Sequence, residues 1–560
     1  MIEKRVVMFL VLSLAIILGY DFLLKELGLM PSPDSVQEGL SPNSSESIGA
    51  PESSPSSKGE ASTGPSEGTP RNKPTASEGP LKSMTSVVDQ TVTVETDLVR
   101  VGIAAKGGVI SSWELKEYQT SSSDEKPVQL VHQGAQFKGP LSIVTLDPVI
   151  DKALVEGHYL VEKDFSTLDS SNPVGHVVLR FEDAAAGIKL EKRLTFRKGS
   201  YIVDVEVNAE GLSGPYQVVL GTNFGIVEWG DGFIGLIGSA SLVDGKVEKE
   251  TPDDQLERKG VVQWVALQDK YFLSVLMPQN GTAALVKKEG EKLVSSSVRM
   301  APIGGGSSSF LQLYAGPKEY DTLRSLNVGL EETIDFGWFI FGSWSVVKAV
   351  AKPLFYVLRF INEYTGNYGV SIILLTLGIK VLFVPLQYKS YKSMKQMQAI
   401  QPKVQGLQEK YKDDRDKLNK ELIKLYRDHR VNPVGGCLPM ILQMPVFVAL
   451  FNILYMTIDL RQAPFFGWIT DLSVQDPYYV LPIVMGATMV ITQKIQPTTM
   501  DPTQAKMMLI LPVFMTFLFV NFPAGLVLYW LTNNTLQIIQ QFVTDRVIFA
   551  IKPLVVEPTK

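Results

Sequence analysis

Hydrophobic residues recur along this chain with three different patterns, and each predicts a different kind of element. Near the start an apolar run extends from Val6 to Tyr20 behind Lys4 and Arg5. From about Val87 to Asn327 apolar and polar positions alternate in short runs such as TVTVETDLVRVGI, HVVLRFE and KLEKRLTFRKGSYIVDVEV. A period of two carried by β-branched residues predicts antiparallel strands, with Lys198-Gly199 at a hairpin turn. Tyr201, Val203, Val205 and Val207 share one strand face while Asp204 and Glu206 share the other, as in a sheet with one buried side. Residues 87–330 therefore read as a large antiparallel β-sandwich. Beyond residue 366 the apolar stretches lengthen, to Tyr368–Tyr388, Gly435–Thr457, Tyr478–Ile495, Met507–Phe522 and Gly525 to about Val543. Most approach the roughly 20 residues that a bilayer crossing requires, and local thinning would accommodate the short ones. With the N-terminal run they make six spans, so the fold class expected is an α-helical polytopic membrane protein carrying a β-sandwich outside the bilayer.

Charge orients these spans. Residues 389–430 carry 12 Lys/Arg against 6 Asp/Glu, whereas the loop from Ile458 to Pro477 has Arg461 against Asp459, Asp471 and Asp476. The positive-inside bias puts the former in the cytoplasm and the latter outside. Lys4 and Arg5 then keep the N-terminus cytoplasmic, six spans return the C-terminus there, and the β-domain faces the periplasm. The first run is either a cleaved signal peptide or an anchor. Gly19-Tyr20-Asp21-Phe22 stands where a small-x-small cleavage site would be, which favours an uncleaved signal anchor over residues 1–30. Residues 31–83 hold 14 Ser, 9 Pro and 6 Gly and no aromatic, too little apolar surface to offset chain entropy, so 31–86 reads as a disordered tether. Within 331–365, Trp338 to Phe360 mixes Trp, Phe and Val with Lys348, Lys352 and Arg359, as an interfacial amphipathic helix would; an ordinary amphipathic connector has the same pattern.

Composition excludes several chemistries. The net charge of −5 divides into +7 for residues 366–560 and −12 for the remainder, so the overall acidity describes neither part. Cys437 is the only cysteine, which rules out an internal disulfide and a Cys-based zinc site, and His132, His158, His176 and His429 show no metal-ligand spacing. There is no P-loop, GxSxG or HExxH, and Gly107-Gly108 reads as a turn or bulge. No catalytic residue, cofactor or metal is expected; the chain works by binding, not as an enzyme.

The most informative residue is Lys380, inside SIILLTLGIKVLFVPL. A lysine at membrane depth costs about 2.5–3.5 kcal/mol and normally faces a cavity or a partner. No Asp or Glu occurs in the five C-terminal spans, so Lys380 is expected to meet water or a passing ligand, or else to snorkel toward the cytoplasmic interface. Thr376 and Gln387 extend a polar stripe along the same helix. Gln443, Asn452, Thr492, Gln493, Asn521, Asn533, Asn534 and Gln537 are further polar groups at this depth, either lining a wet groove or joining helices. In 389–430, Met394, Met397, Val404, Leu407 and Tyr411 recur at helical spacing up to Asp413-Asp414, and Leu418, Leu422 and Leu425 resume it, as in a helical hairpin with a basic, Met-bearing surface.

The stretches GNYGVSIILLTLGIKVLFVPLQYKSYKSMKQMQAIQPKV, VNPVGGCLPMILQMPVFVALF, LRQAPFFGWITDLSVQDPYYVLPIVMG and FPAGLVLYWLTNN resemble the YidC/Oxa/Alb family of membrane protein insertases in its Gram-negative form. The resemblance implies a five-helix insertase core over 366–545, with a hydrophilic groove open to cytoplasm and lipid. It implies an inner-membrane location and energy-independent insertion of nascent membrane proteins, alone or with the Sec translocon. Lys380 then holds the groove charge, where the family more often has Arg; Lys keeps the charge but not the bidentate fork. Thr376 matches a groove-lining position, and Gln443, Met444, Tyr529 and Trp530 match places where family members contact substrate helices. The 389–430 hairpin matches one needed for insertion, and the tail at 546–560 is short. Implied partners are nascent membrane proteins, the ribosome, the Sec translocon and its accessory subunits, the signal recognition particle pathway and the lipid bilayer. A secondary transporter, or a membrane-anchored carbohydrate-binding or carbohydrate-active protein, are the alternative readings.

Overall fold

The computed structural model describes residues 85–87 and 91–548, except for 121–125, 135, 213, 228–236, 250–253, 302–306, 335–344, 412–413, 430, 432–437 and 496–508. The expected anchor, the tether as far as residue 84 and the tail beyond residue 548 lie outside the described residues.

Alternation along the N-terminal half becomes two antiparallel sheets. The larger runs in the spatial order Thr85–Val87, Leu160–Lys163, Val174–Asp183, Ile188–Arg197, Ile202–Glu210, Ser307–Pro317, Phe272–Pro278, Gln255–Gln268, Gly281–Gly290, Leu293–Met300, Tyr216–Thr222 and Ile143–Val144, with Gly238–Val243 and Lys246–Lys249 branching from it. The smaller comprises Thr91–Glu95, Val99–Ala104, Val109–Gln119 and Pro127–Gln129. Their inward faces share one core, in which Val101, Ile103, Trp113 and Leu115 of the small sheet join Val177, Leu190, Val205 and Leu313 of the large one. The hairpin at Lys198-Gly199 pairs Val203 with Phe196, and Gly199 takes the left-handed φ of +71° that favours glycine. Tyr201, Val203, Val205 and Val207 are buried, while Asp204 and Glu206 are half-exposed. The tether was drawn to residue 86, but Thr85–Val87 pairs with Leu160–Lys163 as an edge strand, so the last tether residues belong to the sheet. Their β-branched Thr and Val suit that role.

Among the buried polar residues of the β-domain is a lysine on a strand. Lys192 occupies a core-facing site between Leu190 and Leu194 and is 1% exposed. Its ammonium donates to the carbonyls of Gly108 (2.5 Å) and Leu141 (3.1 Å) and stands 4.7 Å from the Tyr159 ring centroid. It thereby ties the Gly107-Gly108 turn and the Leu141 loop to the strand Ile188–Arg197, and a buried amine is tolerated there because its N–H groups are used.

The C-terminal half is helical. We label as α1 Pro148–Glu156 in the β-domain, α2 Tyr320–Ser325, α3 Ser345–Thr365, α4 Tyr368–Lys410, α5 Arg415–Asp428, α6 Leu438–Met456, α7 Val480–Ile495, α8 Ile510–Phe519 and α9 Ala524–Val543. Among the described residues α4 is the one helix long and apolar enough to cross a bilayer by those criteria; 443–456, 480–495 and 510–519 are shorter apolar helical stretches. The sequence sets the 389–430 hairpin apart from the preceding span. In the structure its first arm is the uninterrupted continuation of α4, a single helix of 43 residues, and α5 is the second arm. Pro385 and Pro402 lie inside that helix without ending it. The amphipathic segment begins at Ser345 as α3, with 335–344 outside the described residues.

Several contacts join the β-domain to the helices, among them the following. Arg359 of α3 pairs with Asp321 of α2. Arg461 and Gln462, between α6 and α7, donate to the Gln119 carbonyl at 2.8 and 3.2 Å. Lys270 stands 3.8 Å from the ring centroid of Tyr455 on α6. The same inter-helix loop folds around buried Asp476, which accepts from Trp468 Nε1 (2.9 Å), the Tyr478 amide (3.0 Å) and the Leu481 amide (2.7 Å), so a carboxylate caps the N-terminus of α7.

Burial pushes the Lys192 amine down to about 7, against 10.5 for an ordinary lysine. Between those values the unfolded chain binds the extra proton, so this group makes folding more favourable as pH rises through that window. Urea unfolding of the full-length protein in detergent, followed by tryptophan fluorescence, should show wild type gaining stability on Lys192→Met between about pH 7 and pH 10; parallel pH profiles for the two would refute the assignment.

Candidate functional site

Lys380 lies in the apolar half of α4 and is only 6% exposed. Its Nζ donates to Gln537 Oε1 of α9 at 2.7 Å, and among the described residues no carboxylate pairs with it. Beside it, between α4 and α9, is a cavity of about 460 Å³. Leu377, Val381, Val384 and Tyr388 wall one side, Leu536, Ile539 and Val543 the other, and Lys380 is the charged group among its lining residues. An amide oxygen satisfies one proton of the ammonium without cancelling its charge, so the site keeps a positive potential in largely apolar surroundings, where such a potential is felt most strongly. Lys380 is held by a neighbouring helix.

The other residues singled out from the sequence divide among three places. Thr376, one turn before Lys380, is buried and donates to the Ile372 carbonyl of its own helix at 2.6 Å. Tyr529, Asn533 and Gln537 recur every four residues and so share one side of α9. Gln443 Nε2 donates to Asn533 Oδ1 at 3.5 Å, and one turn further along α6 Phe447 meets Tyr529 at 6.2 Å and Trp530 at 4.9 Å between ring centroids. The matching steps of four on the two helices are those of an antiparallel contact. Trp530 also packs against Phe519 of α8 at 4.7 Å, Tyr529 is buried, and Met444 is exposed beside Gln443. Asn534 reaches the opposite neighbour, donating to Thr488 Oγ1 of α7 at 3.4 Å. The amides thus tie α9 to α4, α6 and α7, while Tyr529 and Trp530 belong to an aromatic cluster and not to the cavity wall.

Gln537 was one amide among several in the sequence; its place opposite Lys380 follows from α9 crossing α4, across 157 positions of chain. Tyr391, Lys395 and Asp545 also come together near the cavity. The sequence signal for that trio was faint: an isolated acid just after the last apolar stretch and a Tyr/Lys pair spaced by four.

A β-rich domain followed by apolar helices with a buried cation defines a membrane protein with an extramembranous domain, and comparison with known proteins makes the class specific. Residues 91–357 match the YidC periplasmic domain and residues 360–550 the family described as 60Kd inner membrane protein. A membrane protein insertase YidC from Syntrophus aciditrophicus (strain SB) is 38% identical over 97% of this chain and 99% of its own. One from Geotalea daltonii is 40% identical over 81% of this chain and 86% of its own. A solved structure of an active YidC insertase with its first transmembrane domain resolved is 18% identical, covering 82% of this chain and 94% of its own, at a TM-score of 0.35. The chain belongs to the YidC family of membrane protein insertases, inner-membrane proteins with a periplasmic domain that are not enzymes.

Gln537→Leu leaves a buried ammonium without its acceptor and should lower stability in detergent by about 1–3 kcal/mol, whereas Gln537→Glu, which offers an acceptor and a charge, should not. Thermal unfolding of the purified variants checks this; equal losses in both would mean that Lys380 does not depend on the acceptor.

Proposed function

We propose that the helices beyond residue 366, with the N-terminal apolar run, form six spans with both termini in the cytoplasm, and that the cavity beside Lys380 is part of a groove receiving the polar end of a nascent segment. The observation that carries this is the ammonium held by a neutral amide: its positive charge stays available to an acidic or polar group, and Gln537 can rotate away when such a group arrives. A polar chain end then crosses a shortened stretch of hydrocarbon with a partner waiting, which lowers the penalty for unsatisfied groups at that depth. The apolar flank partitions into lipid, and that partition supplies the driving force without a nucleotide. Thr376 supports Lys380 from the same helix; Gln443, Met444, Tyr529 and Trp530 border the route of the apolar flank, with Met444 already exposed for contact. The arm formed by the second half of α4 and by α5 meets the substrate first, whether delivered by the ribosome and the signal recognition particle pathway or shared with the Sec translocon and its accessory subunits. The β-domain serves docking.

Depletion of the native insertase from a Gram-negative cell, with growth and insertion of a short two-span protein as readouts, tests the reading. Wild type and Lys380→Arg should rescue; Lys380→Ala should not, and Gln537→Glu, by neutralising the site, should lose about as much. Rescue by Lys380→Ala equal to wild type would remove the charge from the mechanism.

A further inference from the structure

One connection bridges the cytoplasmic ends of the two helices that wall the cavity. Tyr391, one turn beyond the cavity-lining Tyr388 on α4, donates from Oη to Asp545 Oδ2 at 2.6 Å. Lys395, a further turn along, places Nζ 3.1 Å from Asp545 Oδ1. Asp545 follows Thr544, itself a lining residue, at the point where α9 gives way to a wider helical turn over Thr544–Ile548. One carboxylate therefore holds both a hydroxyl and an ammonium from a single face of α4, with one oxygen for each. Since α4 runs unbroken from Lys380 through this point into the arm, fixing Tyr391 and Lys395 fixes the spacing of the cavity walls. Asp545 and Lys395 are each about one-third exposed (31% and 34%), so the tie stands at the rim and can open without unfolding either helix.

Resting on the groove reading above, we infer that Asp545 is a positioning residue that sets the width of the cytoplasmic mouth between Tyr388 and Thr544, and through it the bulk of the polar end that the insertase accepts. A wide polar end must part α4 from α9 and break the tie, whereas a slim one passes beneath it. The residue touches no substrate; it acts through the walls.

The test uses the full-length protein in membranes, with Cys437→Ser and Val384→Cys on the cavity wall as a reporter labelled by a membrane-impermeant maleimide. Asp545→Ala, and Tyr391→Phe as the milder change that removes one oxygen, should each raise the labelling rate about threefold. Both should raise the insertion of a two-span substrate whose polar translocated end carries bulky side chains about threefold relative to one of equal length with small side chains, while the slim-ended substrate inserts at its wild-type rate. Asp545→Asn, which still accepts from Tyr391, should lie between wild type and Asp545→Ala. Unchanged labelling in both variants, or faster labelling with an unchanged ratio of the two substrates, overturns the inference. A Lys380→Ala arm separates the two readings: if it inserts both substrates normally the groove reading fails, and if it is impaired while the Asp545 and Tyr391 variants match wild type in labelling and ratio, only the mouth-setting role fails.

Discussion

One buried ammonium, that of Lys380, is held in the helical half by a neutral amide and not by a carboxylate. A carboxylate opposite Lys380 would relieve the burial penalty more fully, but the pair would present no net charge to anything arriving. Gln537 gives a weaker solution with a different property: the proton has an acceptor, the charge persists, and the acceptor is a side chain able to swing aside. Placing an amide there obliges α9 to turn a polar side toward α4. Asn533 on that side, and Asn534 next to it, find partners in Gln443 of α6 and Thr488 of α7. The amide row joining the helices follows from the position of the cation.

Lys192 in the β-domain shows the opposite use of the same chemistry. It too is buried, and among the described residues no carboxylate pairs with it, yet it donates to two backbone carbonyls and stands over a tyrosine ring, none of which can leave. There the amine is a fastener joining the Gly108 turn, the Leu141 loop and the strand Ile188–Arg197. The number and mobility of the acceptors, more than burial, separate a structural lysine from one poised to meet a ligand.

How far the sequence revealed this depended on the distance over which each feature is encoded. The β-domain was legible because strand alternation is local, and the buried face of Tyr201, Val203, Val205 and Val207 could be read from four positions. Lys380 was legible because a charge in an apolar run is conspicuous. What could not be read were pairings set by helix packing: Gln537 as the acceptor, Trp530 as part of an aromatic cluster with Phe447 and Phe519, and the hold of Arg461 on the Gln119 carbonyl across 342 positions. The arm was misjudged for a different reason. A change from apolar to basic composition suggested a boundary near Lys389, but composition changes the surroundings of a helix without breaking its hydrogen-bond ladder, and prolines at 385 and 402 did not end it either.

That continuity has a mechanical consequence. At the end of the helical half nearest the β-domain, the loop between α6 and α7 is fastened within itself by buried Asp476 and to the β-domain by Arg461 and Gln462, while Lys270 stands over Tyr455 of α6. At the opposite end α4 projects as a lever whose base is held to α9 by partly exposed groups of one trio. Exposed ion pairs contribute little, typically well under about 1 kcal/mol each, while buried bonded carboxylates resist loss far more strongly. The buried bonds of Asp476 are therefore harder to break than the partly exposed trio between α4 and α9. The arm and Lys380 belong to one helix, with Pro385 between them.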